Sequence, residues 1–486
     1  MEDINFKRGP NPTEKELLEI KNKSKSKNES VKVKKEKTIK KKLERISGFV
    51  SNGYICEMVI NKHKRHGCFA LYHPITKHLT YENQIEQEDR IYIPDTGDEL
   101  VIGNTIKIPK YAQKYGSNFH LKEDLREYLN KYVDIQDDLD REIVITYILL
   151  TWVYDRFSAI PYLRIIGDYG TGKSRLLKVL NVCYRSLCTS GMASAAPIFR
   201  LIHGYSCTLI IDEAEFSNKL DRNDDIKEIL RFGKDSDGVV LRCEPTTYQV
   251  KGFKVFGPKI LGSRRTTGDD ALESRVISIR MQETKSKDIP LFLDKDEFEA
   301  YSQKIRSELL QYRLQNYFEI DPLAYKDHIE NGVSKRLSEM IAPLICIRKN
   351  DRDFIDQLLA KTRERQKDML EDKSMSLDAE ILKAIYNLHL EYDGGDPLVQ
   401  DIAYKINYTT NKNYASRFIG SIIRDNFKLT TRHAHGGNAV IYEEGKILKL
   451  IKEYNLTGIV GVKGEMKIRA SFKKLTKHYG RHKLNR

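Results

Sequence analysis

The chain has 486 residues, 40% hydrophobic and 31% charged, which is enough apolar content to bury cores for about three domains and excludes a wholly disordered polymer. Its formal charge is +14, yet residues 21–45 carry 12 Lys/Arg against 3 Glu and residues 461–486 carry 9 against 1, so those segments supply +17 and the remainder about −3. Seven scattered cysteines with no CxxC pair exclude a disulfide scaffold and point to reduced thiols in a cytoplasmic compartment.

In chain order, the Lys/Ser/Asn-rich opening (residues 1–45) reads as a solvated basic tail suited to a polyanion. Residues 46–110 alternate short β-type runs (Tyr54 to Ile60, Cys68 to Tyr72, Arg90 to Ile93, Leu100 to Ile108) with Gly, Asn, Asp and Pro, the pattern of a small β-rich domain. Within it Cys56, His63, His66, Cys68 and His73 are zinc-ligand types, but their spacing is irregular. Helical periodicity starts near Leu121. The most apolar run, Ile143 to Tyr154, is flanked by charge and too short to span a bilayer, so it reads as a buried helix holding Trp152, with no membrane partner and no signal peptide expected.

Residues 167–174 read Gly167-Asp-Tyr-Gly170-Thr171-Gly172-Lys173-Ser174, a complete GxxxxGK[ST] loop between an apolar strand (Tyr162 to Ile166) and a helical run (Arg175 to Asn181). Such a loop turns backbone N–H groups around phosphates, with Lys173 reaching the outer phosphates and the Ser174 hydroxyl ligating Mg²⁺, so ATP and Mg²⁺ are the expected cofactors. Strand, helix and strand alternate onward (Arg185 to Thr189, Ala195 to His203, Cys207 to Ile211), which predicts a parallel sheet covered on both faces. Thr208-Leu-Ile-Ile211 ends in Asp212-Glu213, two carboxylates at the carboxyl edge where such sheets bind ligands. There Asp212 faces the metal and Glu213 the attacking water, which favours hydrolysis over transfer to a small-molecule hydroxyl.

After a helix (Asp225 to Phe232), Val239 to Cys243 and Tyr248 to Phe256 flank Glu244-Pro-Thr-Thr247 as an inserted β-hairpin. Its Tyr248, Lys251 and Lys254 suit a nucleic-acid backbone contact, and equally an ordinary half-buried hairpin with solvated lysines. An apolar strand then ends at Ser263, and Ala271-Leu-Glu273-Ser-Arg275 runs into the strand Val276 to Met281. Farther on lie Ser334-Lys-Arg336 and Ala342-Pro-Leu344.

In this order the motifs resemble those of AAA+ ATPases, more closely the ring helicases of mobile genetic elements and the related minichromosome-maintenance-like and superfamily-3-type replication proteins, over about residues 125–350. The resemblance implies a γ-phosphate sensor at Ser263, an arginine finger at Arg275 with Arg264 and Arg265 as competitors, and a second sensor at Arg336. It also implies a homo-oligomeric ring, with a hexamer expected. The expected fold class is α/β: an AAA+ P-loop ATPase core with a parallel sheet (120–283), preceded by the β-rich domain (46–110). A helical lid region (284–374), a winged helix-turn-helix domain (376–456) and a basic tail (457–486) follow.

The winged-helix expectation rests on helical faces at Ile381, Leu382, Ile385 and Leu388, at Leu398 to Ile406 and at Tyr414 to Asn426, followed by the turn His435-Gly-Gly-Asn438. Arg417, Ser421 and Arg424 then face a DNA groove and Arg432 lies on the wing; winged helices also dock proteins. The function expected is an ATP-dependent DNA helicase or replication-initiation ATPase. The alternatives are an ATP-switched DNA-binding initiator or regulator that does not unwind, and a signalling ATPase whose winged helix docks proteins.

Overall fold

The structure is a computed structural model describing residues 41–51, 53–60, 67–87, 89–190, 195–213, 224–243, 248–266, 270–329 and 332–458. Most of both basic tails, His63, His66 and the Glu244 to Thr247 turn lie outside the described residues. The chain forms two compact units that part after Leu359.

The first unit opens with seven strands: β1 (Lys42–Ile46), β2 (Gly48–Ser51), β3 (Tyr54–Val59), β4 (Cys68–His73), β5 (His78–Glu82), β6 (Ile85–Glu86) and β7 (Arg90–Pro94). β2-β3-β4-β5 make an antiparallel sheet, and β7 sits between a parallel β1 and an antiparallel β6. The expected strand from Leu100 to Ile108 is instead a helical turn, Glu99–Ile102, because the Asp98 carboxylate accepts the Leu100 N–H and caps it. Cys56 and Cys68 pack in separate hydrophobic clusters, and no group of three or more metal-ligating His, Cys, Asp or Glu occurs among the described residues.

Helices α1 (Asn118–Tyr132) and α2 (Asp138–Val153) follow, capped by the side chains of Ser117 and Asp137. α2 is buried along nearly its whole length, and its Trp152 donates to the Val182 carbonyl at 3.0 Å. No helix among the described residues is long and apolar enough to cross a membrane.

The chain then alternates β8 (Tyr162–Ile166), α3 (Lys173–Val179), β9 (Leu187–Ser190), α4 (Ala195–Tyr205), β10 (Leu209–Asp212) and α5 (Asp224–Phe232). A hairpin of β11 (Val239–Cys243) and β12 (Val250–Lys254) precedes β13 (Lys259–Ser263), the short helix α6 (Asp270–Glu273) and β14 (Val276–Arg280). Five of these strands form a parallel sheet in the order β14-β8-β13-β10-β9.

Burial on both faces explains the unbroken apolar runs. Leu163, Ile165, Ile260 and Ile277 join the core built with α1, α2, α7 (Lys295–Asn316) and α8 (Lys335–Ile347), while Tyr162, Leu209, Ile211 and Leu261 join a second core with α4 and α5. Strands β3 and β4 contribute Ile55, Val59 and Ala70 to the first of these cores. α9 (Arg352–Ser374) begins in this unit, where Phe354 and Ile355 are buried.

One polar cluster lies within that packing. Glu57 of β3, 2% exposed, accepts from Arg185 (2.6 Å), from Arg313 of α7 (2.6 Å) and from the Tyr184 hydroxyl (2.9 Å). Arg313 also grips Asp155 with two bonds of 2.8 Å, and Arg185 donates to the carbonyls of Ser47 and Tyr205. Burial alone would lower the Arg313 pKa, but Asp155 and Glu57 reverse that and hold it well above its usual value.

The second unit contains α10 (Leu377–Glu391), α11 (Val399–Thr410), α12 (Ser416–Asp425), an antiparallel hairpin of β15 (Thr431–Ala434) and β16 (Gly437–Val440), and α13 (Glu444–Glu453). Ile385, Leu388, Ile402, Ile406, Ile419, Ile423 and Val440 form its core, and Gly436 and Gly437 at φ 95° and 130° make the turn.

The Glu57 cluster generates a stability prediction. Removing one partner of a buried ion pair leaves the others charged and unpaired, at a cost of about 3–5 kcal/mol. Glu57→Ala should therefore lower the unfolding free energy by about that amount in urea titration, with Glu57→Gln intermediate because one amide oxygen still accepts.

Candidate nucleotide site

The phosphate-type loop leaves the carboxyl end of β8 and is shaped by glycine. Gly170 and Gly172 adopt φ of 80° and 81°, and Gly172 is the left-handed residue from which α3 starts at Lys173. Gly167 has a different reason. A Cβ there would lie 2.3 Å from Thr171 Oγ1 and 3.2 Å from Met281 Cβ. Thr171 Oγ1 donates to the Asp168 carbonyl at 2.8 Å and closes the loop on itself.

Parallel register sets the neighbours. Ser263 pairs with Ile166, Arg280 pairs with Ile166 from the other side, and Ile211 pairs with Leu261, so the ends of β8, β13, β10 and β14 form one edge. Asp212 therefore arrives beside the loop although 39 residues separate it from Lys173. Its Oδ1 accepts the Glu213 N–H at 2.9 Å, and Gly262 leaves it room, since a Cβ there would lie 3.1 Å from that oxygen. Glu213 itself is left-handed at φ 57°, a turn that costs a residue with a Cβ about 1–2 kcal/mol.

Lys173, Ser174 and Glu213 open onto a cleft of about 480 Å³, which Asp212 adjoins without lining it. One wall holds Asp168 to Arg175, Glu213 and Arg264; the other is largely apolar, with Tyr132, Val133, Met281, Ile289, Pro290 and Leu291. Arg175 ties the two together by donating to the carbonyls of Pro290 (2.8 Å) and Leu291 (2.7 Å). Thr284 donates to Asp134 at 2.7 Å across the same wall. Nothing in the sequence marks this apolar wall: it is assembled from the end of α1 and the segment after β14, which carry no motif.

The donor set suits a hard divalent cation. Ser174 offers a hydroxyl and Asp212 a carboxylate, and Mg²⁺ asks for no more from protein when phosphate oxygens and water complete its shell.

Other expected site residues fall elsewhere. Ser263 is 1% exposed, donates to the Arg265 carbonyl at 2.9 Å and does not line the cleft. Arg275 lies at the opposite edge of the sheet, where its carbonyl accepts the Tyr162 N–H; five residues of strand put it about 16 Å from the loop. Its Nε and Nη1 are buried without a hydrogen-bond partner. Arg336 is exposed in the first turn of α8, away from the cleft.

The hairpin is anchored through Phe253, whose ring centre lies 4.7 Å from that of Phe199 on α4, and through Arg242, which pairs with Glu228 at 3.0 Å. Tyr248, 83% exposed, stands at the start of its second arm. Because strand side chains alternate, Lys251 shares the anchored face with Phe253 while Lys254 points the other way beside the exposed Leu241 and Val250. In the second unit, Arg417 and Arg424 are exposed on α12 and Ser421 is half-buried, its hydroxyl donating to the Phe418 carbonyl. Arg432 on β15 is held by Asp396 at 2.9 Å.

No protein-family model matches the chain, and no curated protein matches it by sequence. Among solved structures, the A form apo structure of the NrS-1 C-terminal region aligns at TM-score 0.36 and 11% identity over 79% of this chain and 96% of that one. A second A form apo structure of that region, residues 305–718, aligns at 0.35 and 10% over 80% and 96%. JCV helicase bound to a thiazolopyridine-phenoxyphenyl acetamide aligns at 0.25 and 15% over 54% and 63%. Superpositions this loose are not evidence of a shared activity.

The loop geometry generates a prediction. Gly167→Ala forces Thr171 away from its closing bond, so ATP affinity should fall at least about 10-fold while the circular dichroism spectrum stays unchanged; titration with a fluorescent ATP analogue measures it.

Proposed function

We propose that this protein is an ATP-dependent DNA helicase or replication-initiation ATPase that hydrolyses ATP as an oligomeric ring on DNA. The observation that carries the reading is the meeting of Lys173, Ser174, Asp212 and Glu213 at one sheet edge, beside a loop bent by left-handed glycines. Phosphoryl transfer asks little covalent chemistry of a protein, so positioning and charge are what such an edge can supply. Lys173 holds the outer phosphates, Ser174 and Asp212 hold Mg²⁺, and Glu213 orients the attacking water. The apolar wall around Val133 and Leu291 takes the base.

In this reading Arg275, too far from its own loop, serves the neighbouring subunit's site. Ser263 and Arg336 act as sensors only if nucleotide or ring closure moves them to the cleft. Residues 376–456 form a winged helix that presents Arg417, Ser421 and Arg424 to DNA, with Arg432 on the wing, and Tyr248, Lys251 and Lys254 contact a strand.

The alternative is an ATP-switched initiator that binds DNA without unwinding it. It draws on the hairpin, where the two lysines point to opposite faces and the outer face is apolar. Strand displacement with ATP separates the two readings.

The test of the site is turnover measured with and without single-stranded DNA. Lys173→Ala should abolish hydrolysis and weaken ATP binding; Glu213→Gln should bind ATP and not turn it over, and near-normal turnover by that variant would refute the assignment. Arg275→Ala should lose on the order of 10³-fold in rate alone and recover in co-assemblies with Lys173→Ala, where an intact arginine meets an intact pocket. Lys251→Ala with Lys254→Ala should lower DNA-stimulated turnover and flatten the salt dependence of DNA binding while basal turnover persists.

A further inference from the structure

The geometry points to Arg264 as a catalytic residue that acts in its own subunit, supplying the second protein cation at the outer phosphate. The inference rests on the ATPase reading and deepens it.

Arg264 follows β13 directly and lines the cleft together with Lys173 and Glu213. Its guanidinium carbon lies 3.8 Å from the ring centre of Tyr169, the third residue of the phosphate-type loop, and that tyrosine is 80% exposed. The residue before it explains the placement. Ser263 is buried and spends its hydroxyl proton on the Arg265 carbonyl, which turns the chain so that Arg264, and not Ser263, reaches the cleft wall.

Among the described residues, three cations line the cleft: Lys173, Arg175 and Arg264. Arg175 is occupied by the carbonyls of Pro290 and Leu291, and Arg275 stands at the far edge of the sheet. Lys173 is therefore left with Arg264 as the companion cation in the same cleft.

An exposed ring–cation contact is weaker than a charge-assisted, two-pronged bond to phosphate, so a triphosphate draws Arg264 off Tyr169. In the reaction the water oxygen bonds to the outer phosphorus, the bond from that phosphorus to its bridging oxygen breaks, and ADP, phosphate and a proton leave without any redox change. Charge grows on the bridging and equatorial oxygens as that bond stretches, and a fixed guanidinium there lowers the barrier. Tyr169 is a positioning residue that parks the arginine when the outer phosphate is absent.

The test combines binding and turnover. In equilibrium titrations with ATPγS and ADP, Arg264→Ala should narrow the preference for the triphosphate analogue by about 10-fold and leave ADP affinity unchanged, while Arg264→Lys, which keeps a point charge, restores part of it. Turnover number should fall on the order of 100-fold in Arg264→Ala, and KM for ATP should rise in step with the lost ATPγS affinity. Tyr169→Phe should behave as wild type, and Tyr169→Leu should strengthen ATPγS binding because the ring contact no longer competes with phosphate for the guanidinium.

Co-assemblies of Arg264→Ala with Lys173→Ala should show no recovery, since the lost cation belongs to the only intact pocket. Recovery on mixing would overturn the proposal by placing Arg264 in trans, and an unchanged ATPγS preference in Arg264→Ala would overturn it outright. The two readings fail separately. Absent wild-type turnover together with a triphosphate preference that Arg264→Ala erases would refute hydrolysis and still support Arg264, whereas normal turnover in Arg264→Ala refutes only Arg264.

Discussion

Glu57 holds the first unit together. A carboxylate almost out of water is tolerable only when compensated, and here two arginines and a tyrosine hydroxyl compensate it, while Asp155 balances the second guanidinium. The four charged groups sum to zero, so the cluster can be buried without leaving net charge. Its members come from β3, from the turn before β9, from the turn that follows α2 and from α7. Each of those elements is thereby fixed relative to the others by directional bonds, where apolar packing alone would permit sliding.

That fixation bears on the cleft. α7 follows the segment that carries Pro290 and Leu291, and Arg175 clamps the same segment to the phosphate-type loop. The apolar wall is thus braced at one end by a cation reaching from α3 and at the other by the packing of α1 against α7, where Tyr128 and Tyr132 meet Phe298 and Tyr301 edge-on or stacked. A second buried pair, Arg164 with Glu273, performs the same service on the sheet: Arg164 is 1% exposed, bonds both Glu273 oxygens at about 2.5 Å and reaches Ser278. It ties α6 and β14 to β8, and so sets where Arg275 begins.

Basic residues consequently divide into two kinds. Arg164, Arg185, Arg306 and Arg313 are buried and paired, and belong to the architecture. Lys173 and Arg264 line the cleft, while Lys251, Lys254, Arg417 and Arg424 face solvent. Net charge therefore says little about where a polyanion would bind, since part of the positive count is neutralised inside.

Short-range patterns were legible from the sequence alone. The GxxxxGK[ST] spacing, the β-branched run ending in Asp212-Glu213 and the strand–helix alternation are local rules of backbone conformation and burial, and they suffice to specify the loop, the parallel sheet and the acidic pair. What required the tertiary structure depends on residues far apart in the chain. Strand order decided which side chains share an edge, the pleat decided that Lys251 and Lys254 part company, and one hydroxyl bond from Ser263 to the Arg265 carbonyl decided that the arginine beside it lines the cleft. The Asp98 cap turned an apparent strand into a helical turn, and Glu57 looked like any surface acid in a β-type run. Its partners lie 127 to 256 residues away, and no local pattern records a bond closed over such a distance.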